Sequence, residues 1–230
     1  MRRLFIILVA FSYFSAFSQT NMLFVGNSLT YTNNLPSLLE TIAKADDVVI
    51  KTEMIAFPNY ALEDHWNERN VSSTLSKTKF DYVIFQQGPS GLPASRQNLI
   101  QYALKFSEMC KAKGTLMCMY GVWPSVDRAF DFPNVIASYQ IAADTCDAIL
   151  LPAGKAWKSI IDQHKTFPLY SSDGFHPSIQ GSILSALVIY TSLFKKQDLD
   201  FLTVTNLPPK SLTAQQLDVI KRAALHARDN

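Results

Sequence analysis

The feature that most constrains the fold is a regular alternation between short apolar runs and longer segments with helical periodicity. The apolar runs are unbroken rather than alternating with polar residues, which is typical of strands covered on both faces of a sheet. They are Met22–Gly26, Val48–Ala56, Asp81–Gln86, Thr115–Gly121 and Ala148–Leu151. Because strands that alternate with helices form parallel sheets with helices on both faces, we expect an α/β fold.

The intervening segments carry helix signals. Asn34 is a candidate N-cap for a helix over Leu35–Ala45. Pro177 suits the first position of a nearly all-apolar, buried helix that runs to Phe194. The other predicted helices are Arg96–Lys113, Asn134–Thr145, Ala153–Gln163 and an amphipathic C-terminal segment, Thr213–Ala227.

The N-terminus differs from the rest of the chain. Arg2 and Arg3 precede an apolar stretch that ends in small residues at the spacing a signal peptidase needs. A membrane anchor or a buried first strand are the alternatives, but the stretch is shorter than the ~20 residues of a spanning helix. We predict a signal peptide over residues 1–18, export to the periplasm or the extracellular space, and a single domain over residues 19–230.

Composition argues against several kinds of partner and site. The 21 basic and 19 acidic residues are mixed along the chain, so no basic face indicates nucleic acid. No residue spacing indicates a metal site, and we predict no cofactor. Cys110, Cys118 and Cys146 lie among apolar neighbours, which favours buried free thiols, although one pair could oxidise in an exported protein.

Polar residues follow the predicted strands, where ligands bind in a parallel sheet. The first strand leads into Ser28, which is either a nucleophile or a residue that caps the next helix. A nucleophilic hydroxyl needs a base, and the base usually needs an orienting carboxylate. Among four histidines, His176 follows Asp173 at a spacing that lets a turn bring the carboxylate to imidazole Nδ1. An ordinary turn without catalytic function is the alternative.

The ordered set of motifs resembles the SGNH/GDSL-like hydrolases, in a bacterial exported branch related to carbohydrate acetylesterases. The segments that carry the resemblance are FVGNSLT, ALEDHW, DYVIFQQGPSGLP, ILLPAGKAW and PLYSSDGFHPSIQGSILSAL. The resemblance implies a three-layer α/β/α, flavodoxin-like domain with a parallel sheet of about five strands. It also implies that Ser28 is the nucleophile, His176 the general base and then acid, and Asp173 its orienting partner.

The resemblance further implies an oxyanion hole, built by the Ser28 backbone N–H and by donors after the second and third strands. Asn59 stands where the family usually has a glycine, and the segment GPSG replaces the usual GxND, so the family's asparagine is absent. The Gln87–Ser90 stretch, QGPS, instead resembles the QGES-like segment of carbohydrate acetylesterases in the same superfamily. This resemblance implies the Gln87 amide as the side-chain donor, with Ser90 second. The alternative is that Gln86 and Gln87 only satisfy loop backbone.

Three other residues, Trp123, Arg128 and His65, have either a role in the predicted site or a purely structural one. Trp123 is expected to bind substrate by stacking on a sugar ring, although large aromatics near a sheet end also serve as packing. Arg128 either recognises an acidic substituent or is a solvated loop cation. His65 belongs to the resemblance, and we interpret it as structural, hydrogen-bonding across the floor of the site.

The function that the resemblance implies is an exported serine esterase that acts through an acyl-serine intermediate. Export, Trp123 and the QGPS segment point to O-acetyl groups on a carbohydrate, so the expected partner is a small-molecule or polysaccharide ester. Neither nucleic acid nor a stable membrane anchor is expected. Two alternatives remain: an acyltransferase with the same triad, and a weak or inactive glycan-binding protein, because Asn59 and Ser90 depart from the family pattern.

Overall fold

The computed structural model describes residues 19–229, so the predicted signal peptide lies outside the described residues. Within them, the strands are β1 (Thr20–Gly26), β2 (Ile50–Ala56), β3 (Tyr82–Phe85), β4 (Leu116–Tyr120) and β5 (Ile149–Leu151). These five strands form one sheet in the order β2-β1-β3-β4-β5, and every pairing is parallel. The α/β class and the parallel sheet of about five strands are confirmed.

Helices cover both faces of this sheet. The helices in the first half are α1 (Ser28–Tyr31), α2 (Leu35–Ala45), α3 (Leu62–Glu68), α4 (Asn70–Lys77) and α5 (Pro93–Lys113). The later ones are α6 (Phe132–Cys146), α7 (Ala153–Gln163), α8 (Ile179–Phe194) and α9 (Ala214–Asp229). Helices α2, α7, α8 and α9 pack on one another, while α3, α5 and α6 form a second group, which gives three layers.

The strands differ in how fully they are covered. Residues Met22–Val25 of β1 have no exposed surface, as expected of a strand with helices on both faces. Strand β2 lies at the edge, and Lys51, Glu53 and Met54 are exposed. The expectation that all five strands are covered on both faces is therefore wrong for β2. Charged side chains on an edge strand deter pairing with another chain.

The starts of α8 and α2 differ from the sequence prediction in one respect each, the first residue of α8 and the cap of α2. Helix α8 begins at Ile179 because Ser178 caps it: its hydroxyl accepts the Gly181 N–H at 3.1 Å. Pro177 instead forms an isolated bridge with Tyr170. Helix α2 begins where predicted, but Asn34 has left-handed backbone angles and makes no capping hydrogen bond with its side chain.

A substitution at Gly154 tests how closely the start of α7 approaches the segment that follows β4. A Cβ at this position would overlap the carbonyl oxygen of Val122. We expect Gly154→Ala to lower the free energy of unfolding by about 1–3 kcal/mol, because the backbone has to shift. Gly88→Ala is the control, since the space around Gly88 is open. Urea unfolding followed by circular dichroism measures both, and equal stability of the two variants would contradict the prediction.

Candidate active site

Ser28 lies directly after β1, as the first residue of the short helix α1. Asn27 caps this helix: its Oδ1 accepts the Leu29 N–H at 3.1 Å, and its backbone is extended. Ser28 is 8% exposed. Neither its hydroxyl nor its backbone N–H has a hydrogen-bond partner within residues 19–229. The cap is therefore Asn27, and both polar groups of Ser28 are left for another partner.

The buried side chain of Gln86, directly after β3, holds this turn in place. Its Oε1 accepts the Asn27 N–H at 3.0 Å and the Thr30 hydroxyl at 2.7 Å. Its Nε2 donates to Asn27 Oδ1 at 2.9 Å and to the Gln87 carbonyl at 2.5 Å. A Cβ at Gly26 would collide with the Gln86 and Thr30 oxygens. Gln86, whose expected alternative role was to hydrogen-bond loop backbone, thus also supports the turn that carries Ser28.

The turn before α8 brings Asp173 onto His176, as the spacing predicts. Asp173 Oδ2 lies 2.5 Å from His176 Nδ1. Its Oδ1 accepts from the Ser171 hydroxyl at 2.7 Å and from the Phe175 and His176 N–H groups at 2.9 Å. These hydrogen bonds, first those from Ser171 and His176, hold the pKa of Asp173 well below its usual range. The carboxylate is therefore ionised and orients the imidazole.

The segment after α1 connects this turn to Ser28. Asn33 Nδ2 donates to the Pro177 carbonyl at 3.1 Å and to the Ser182 hydroxyl at 3.0 Å. Pro177 directly follows His176, so the loop that carries the serine is bonded to the loop that carries the histidine. No hydrogen bond joins Ser28 Oγ to His176 Nε2 in the described part of the chain.

Trp123 holds the same turn from the other side and is not a substrate platform. It has no exposed surface, and its ring stacks on Trp157 with 3.4 Å between centroids and 6° between planes. Its Nε1 donates to the Phe175 carbonyl at 3.1 Å. A fully covered ring cannot stack on a sugar, so the predicted substrate-binding role of Trp123 is wrong. The interaction with Trp157 joins residues far apart in the sequence.

The Gln87 amide is fully hydrogen-bonded to the protein. Its Oε1 accepts the Leu62 N–H at 3.0 Å, and its Nε2 donates to Ser90 Oγ at 2.9 Å and to the Ser95 carbonyl at 3.5 Å. The Ser90 hydroxyl in turn donates to the Gly88 carbonyl at 3.0 Å. Buried polar groups must find such partners. In this arrangement, neither Gln87 nor Ser90 has a side-chain N–H or O–H left for an oxyanion, which differs from the predicted donor roles.

Asn59 has the backbone geometry that its glycine-like position requires. It is exposed, with a φ of 62°, in the left-handed region that glycine adopts freely and asparagine tolerates. The direction of its N–H can therefore match that of a glycine at this position.

The side chains of His65 and Arg128 both bond to other groups of the chain. His65 is buried, and its Nε2 lies 2.8 Å from the Gly26 carbonyl, which agrees with a structural hydrogen bond across the floor of the site. Arg128 pairs with Asp131 at 2.6 Å and lies 5.4 Å from the Phe130 ring centroid. Arg128 is therefore not a freely solvated cation.

The cysteines are free thiols, and all three are buried. Burial raises the pKa of the Cys110 thiol to about 12 and that of Cys146 to about 11, which makes both inert. Between residues 19 and 229, no group of three metal-ligating side chains is close enough to hold an ion. None of the helices in this range has the length and apolarity that crossing a bilayer needs.

Solved structures resemble the chain over most of its length. A protein from Slackia heliotrinireducens, proposed to be an SGNH hydrolase, is 25% identical, with a TM-score of 0.64 over 76% of this chain and 100% of that one. The chain has the SGNH-hydrolase fold. A DUF4886 family protein from Bacteroides uniformis is 16% identical, with a TM-score of 0.73. The match spans 91% of this chain and 95% of the DUF4886 protein. The acetyl xylan esterase AlAXEase is 14% identical, with a TM-score of 0.61. The match spans 75% of this chain and 99% of the esterase.

No protein-family model matches the chain, and neither does any curated protein. The solved structures nevertheless confirm the predicted relation to the SGNH/GDSL-like hydrolases and the three-layer fold. A lipase/acylhydrolase from Enterococcus faecalis, 15% identical to this chain with a TM-score of 0.59, also shares the fold.

Replacing Gln86 tests whether its amide supports the SGNH-fold serine turn. We expect Gln86→Leu to lower the free energy of unfolding by about 2–4 kcal/mol, because the Asn27 N–H and the Thr30 hydroxyl lose their buried acceptor. Gln163→Leu is the matched control, since Gln163 is exposed at the end of α7. Thermal unfolding of both variants measures the difference, and a Gln86 variant as stable as the control would refute the assignment.

Proposed function

We propose that the chain is an exported serine esterase that hydrolyses a carboxylic ester through an acyl-serine intermediate, with Ser28, His176 and Asp173 as the triad. One observation carries the proposal. His176 is held at Nδ1 by an ionised carboxylate, on a turn bonded to the segment that follows Ser28. This is the arrangement in which Nε2 can take a proton from a serine hydroxyl. The hydroxyl–imidazole hydrogen bond would close on substrate binding, since catalytic hydrogen bonds are often long without substrate.

The reaction proceeds in two halves. Ser28 Oγ attacks the ester carbonyl carbon, its proton passes to His176 Nε2, and the carbonyl oxygen becomes an oxyanion. The bond to the alcohol oxygen then breaks, and His176 returns the proton to the departing alcohol, which leaves an acyl-serine. Water attacks the acyl carbon and gives a proton to Nε2. Collapse releases the acid and returns the proton to Ser28 Oγ, while Asp173 stabilises the imidazolium in both halves.

Backbone groups supply the oxyanion hole in this proposal. The Ser28 N–H has no partner within residues 19–229, and the Asn59 N–H has glycine-like geometry. Gln87 and Ser90 shape the adjoining loop rather than donate. Removing one preorganised donor from such a hole typically costs about 2.7–4 kcal/mol of transition-state stabilisation.

The proposed substrate is an O-acetyl group on a carbohydrate. An acetyl-xylooligosaccharide esterase from Geobacillus and the acetyl xylan esterase share the fold, and export would bring the enzyme to polysaccharides. The buried Trp123 gives this assignment no support. Acetate release from acetylated xylooligosaccharides, measured with and without a free sugar acceptor, tests the substrate and separates hydrolysis from acyl transfer.

Ser28→Ala tests the nucleophile. We expect loss of turnover of p-nitrophenyl acetate and of labelling by a fluorophosphonate, with an unchanged melting temperature, because the hydroxyl makes no hydrogen bond in the described structure. Ser76→Ala, on an exposed serine of α4, should retain both activities. Turnover in the Ser28 variant equal to wild type would exclude Ser28 as the nucleophile. A wild-type protein that binds glycans without labelling would favour the glycan-binding alternative.

Asp173→Asn tests the orienting carboxylate. An amide in this position can donate to Nδ1, which favours the wrong tautomer, so we expect kcat to fall by a factor of about 10²–10⁴. Asp127→Asn is the control, because Asp127 is exposed on the neighbouring loop. Steady-state kinetics of both variants measure the effect, and an unaltered kcat in the Asp173 variant would mean that His176 needs no carboxylate.

A further inference from the structure

His65 is a buried histidine whose hydrogen bond fixes its tautomer. It is 1% exposed, in α3, with Nε2 2.8 Å from the Gly26 carbonyl. Because a carbonyl oxygen only accepts, Nε2 carries the proton, and Nδ1 is left as an acceptor without a partner in the described structure. Burial lowers the pKa of His65 below its ordinary value, so the ring is neutral at neutral pH.

The Gly26 carbonyl belongs to the peptide directly before the Asn27–Ser28 peptide. The oxygen of this Gly26–Asn27 peptide accepts from His65 Nε2 and from the Phe57 N–H at 3.2 Å. Its N–H donates to Gln86 Oε1 at 3.0 Å. The side chains of His65, in α3, and of Gln86, directly after β3, therefore fix the two ends of one peptide. The next N–H along the chain is that of Ser28, whose direction depends on this plane.

The His65 ring also contacts the loop that carries Asn59. Its centroid lies 6.1 Å from that of Phe57 and 5.2 Å from that of Tyr60, and the planes of the His65 and Tyr60 rings meet at 62°. Asn27 Nδ2 donates to the Tyr60 carbonyl at 2.9 Å, which ties the same loop to the serine turn. His65 thus lies where the serine turn and the Phe57–Tyr60 loop meet.

We propose that His65 is a positioning residue of the esterase site, which aligns the Ser28 and Asn59 N–H groups by bonding the Gly26 carbonyl and packing on the Phe57–Tyr60 loop. This inference rests on the proposed function. His65 acts through the backbone, and Ser28 and His176 carry out the chemistry. Small displacements matter at such a site, because a shift of about 1 Å in a reacting group can cost about a hundredfold in rate.

Two substitutions separate the hydrogen bond of His65 from its packing. His65→Phe keeps an aromatic ring between Phe57 and Tyr60 and removes the N–H donor. His65→Gln keeps an N–H donor of similar reach and removes the ring. If His65 only stabilised the fold, kcat below the melting transition would be the same in both variants. If His65 positions the Gly26 carbonyl, kcat falls in His65→Phe, which lacks the N–H donor, and is largely kept in His65→Gln, which retains it.

We expect His65→Phe to lower kcat for p-nitrophenyl acetate by about 10- to 100-fold, with KM changed by no more than about twofold. The rate at which a fluorophosphonate labels Ser28 should fall by a similar factor. His65→Gln should retain kcat within about threefold, while its melting temperature falls because ring packing is lost. His164→Phe, on an exposed histidine at the end of α7, is the control for the substitution itself.

Each outcome of this experiment is decisive. A wild-type protein without esterase activity or Ser28 labelling overturns the proposed function and the inference with it. An active wild type whose His65→Phe variant keeps full kcat overturns the inference alone, as does a kcat that falls equally in both variants. If His65→Phe does not fold, His65→Gln decides: kcat within about threefold supports the role, and a larger loss overturns it.

Discussion

The side-chain amide of Gln86 uses all its hydrogen-bonding capacity from a fully buried position between β1 and β3. Its oxygen accepts from the Asn27 backbone and the Thr30 hydroxyl, and its nitrogen donates to the Asn27 side chain and the Gln87 carbonyl. An unmet polar group at this depth is costly, so alternative conformations of the turn are disfavoured. The position of Ser28, directly after the carboxyl end of β1, therefore depends on this amide as well as on the strand.

The histidine turn is held differently, by loops on either side of it. Asn33 bonds the Pro177 carbonyl on one side, while Trp123 bonds the Phe175 carbonyl on the other. The Asp173 side chain remains half exposed. Water screens charge interactions at such a site, so we attribute its effect on the imidazole mainly to orientation rather than to Coulomb attraction. Hydrogen bonds to its carbonyls, rather than burial, hold this turn in place.

How far the sequence predicts such a site depends on the range of the interactions involved. The contact between Asp173 and His176 was predictable because three residues of a turn determine it. The strands and most helices were predictable from periodicity, whereas the short, largely polar α4 carries no such signal. Trp123 and Gln87 were assigned to substrate and oxyanion, but their side chains turn toward partners that the fold supplies, Trp157 for the first. Long side chains follow tertiary neighbours, which local patterns do not encode.

The two departures from the family pattern have different physical consequences. Asn59 adopts the left-handed backbone of a glycine, so the N–H direction can be kept at small cost. At the GPSG segment, the Gln87 amide and the Ser90 hydroxyl bond each other, and a potential donor becomes a support for the loop. An oxyanion hole at this site would then consist of backbone N–H groups alone. Backbone donors cannot re-aim as a side chain can, so their alignment must come from the groups that fix the peptides around them. Gln86 and His65 are the buried side chains that do so at the serine turn.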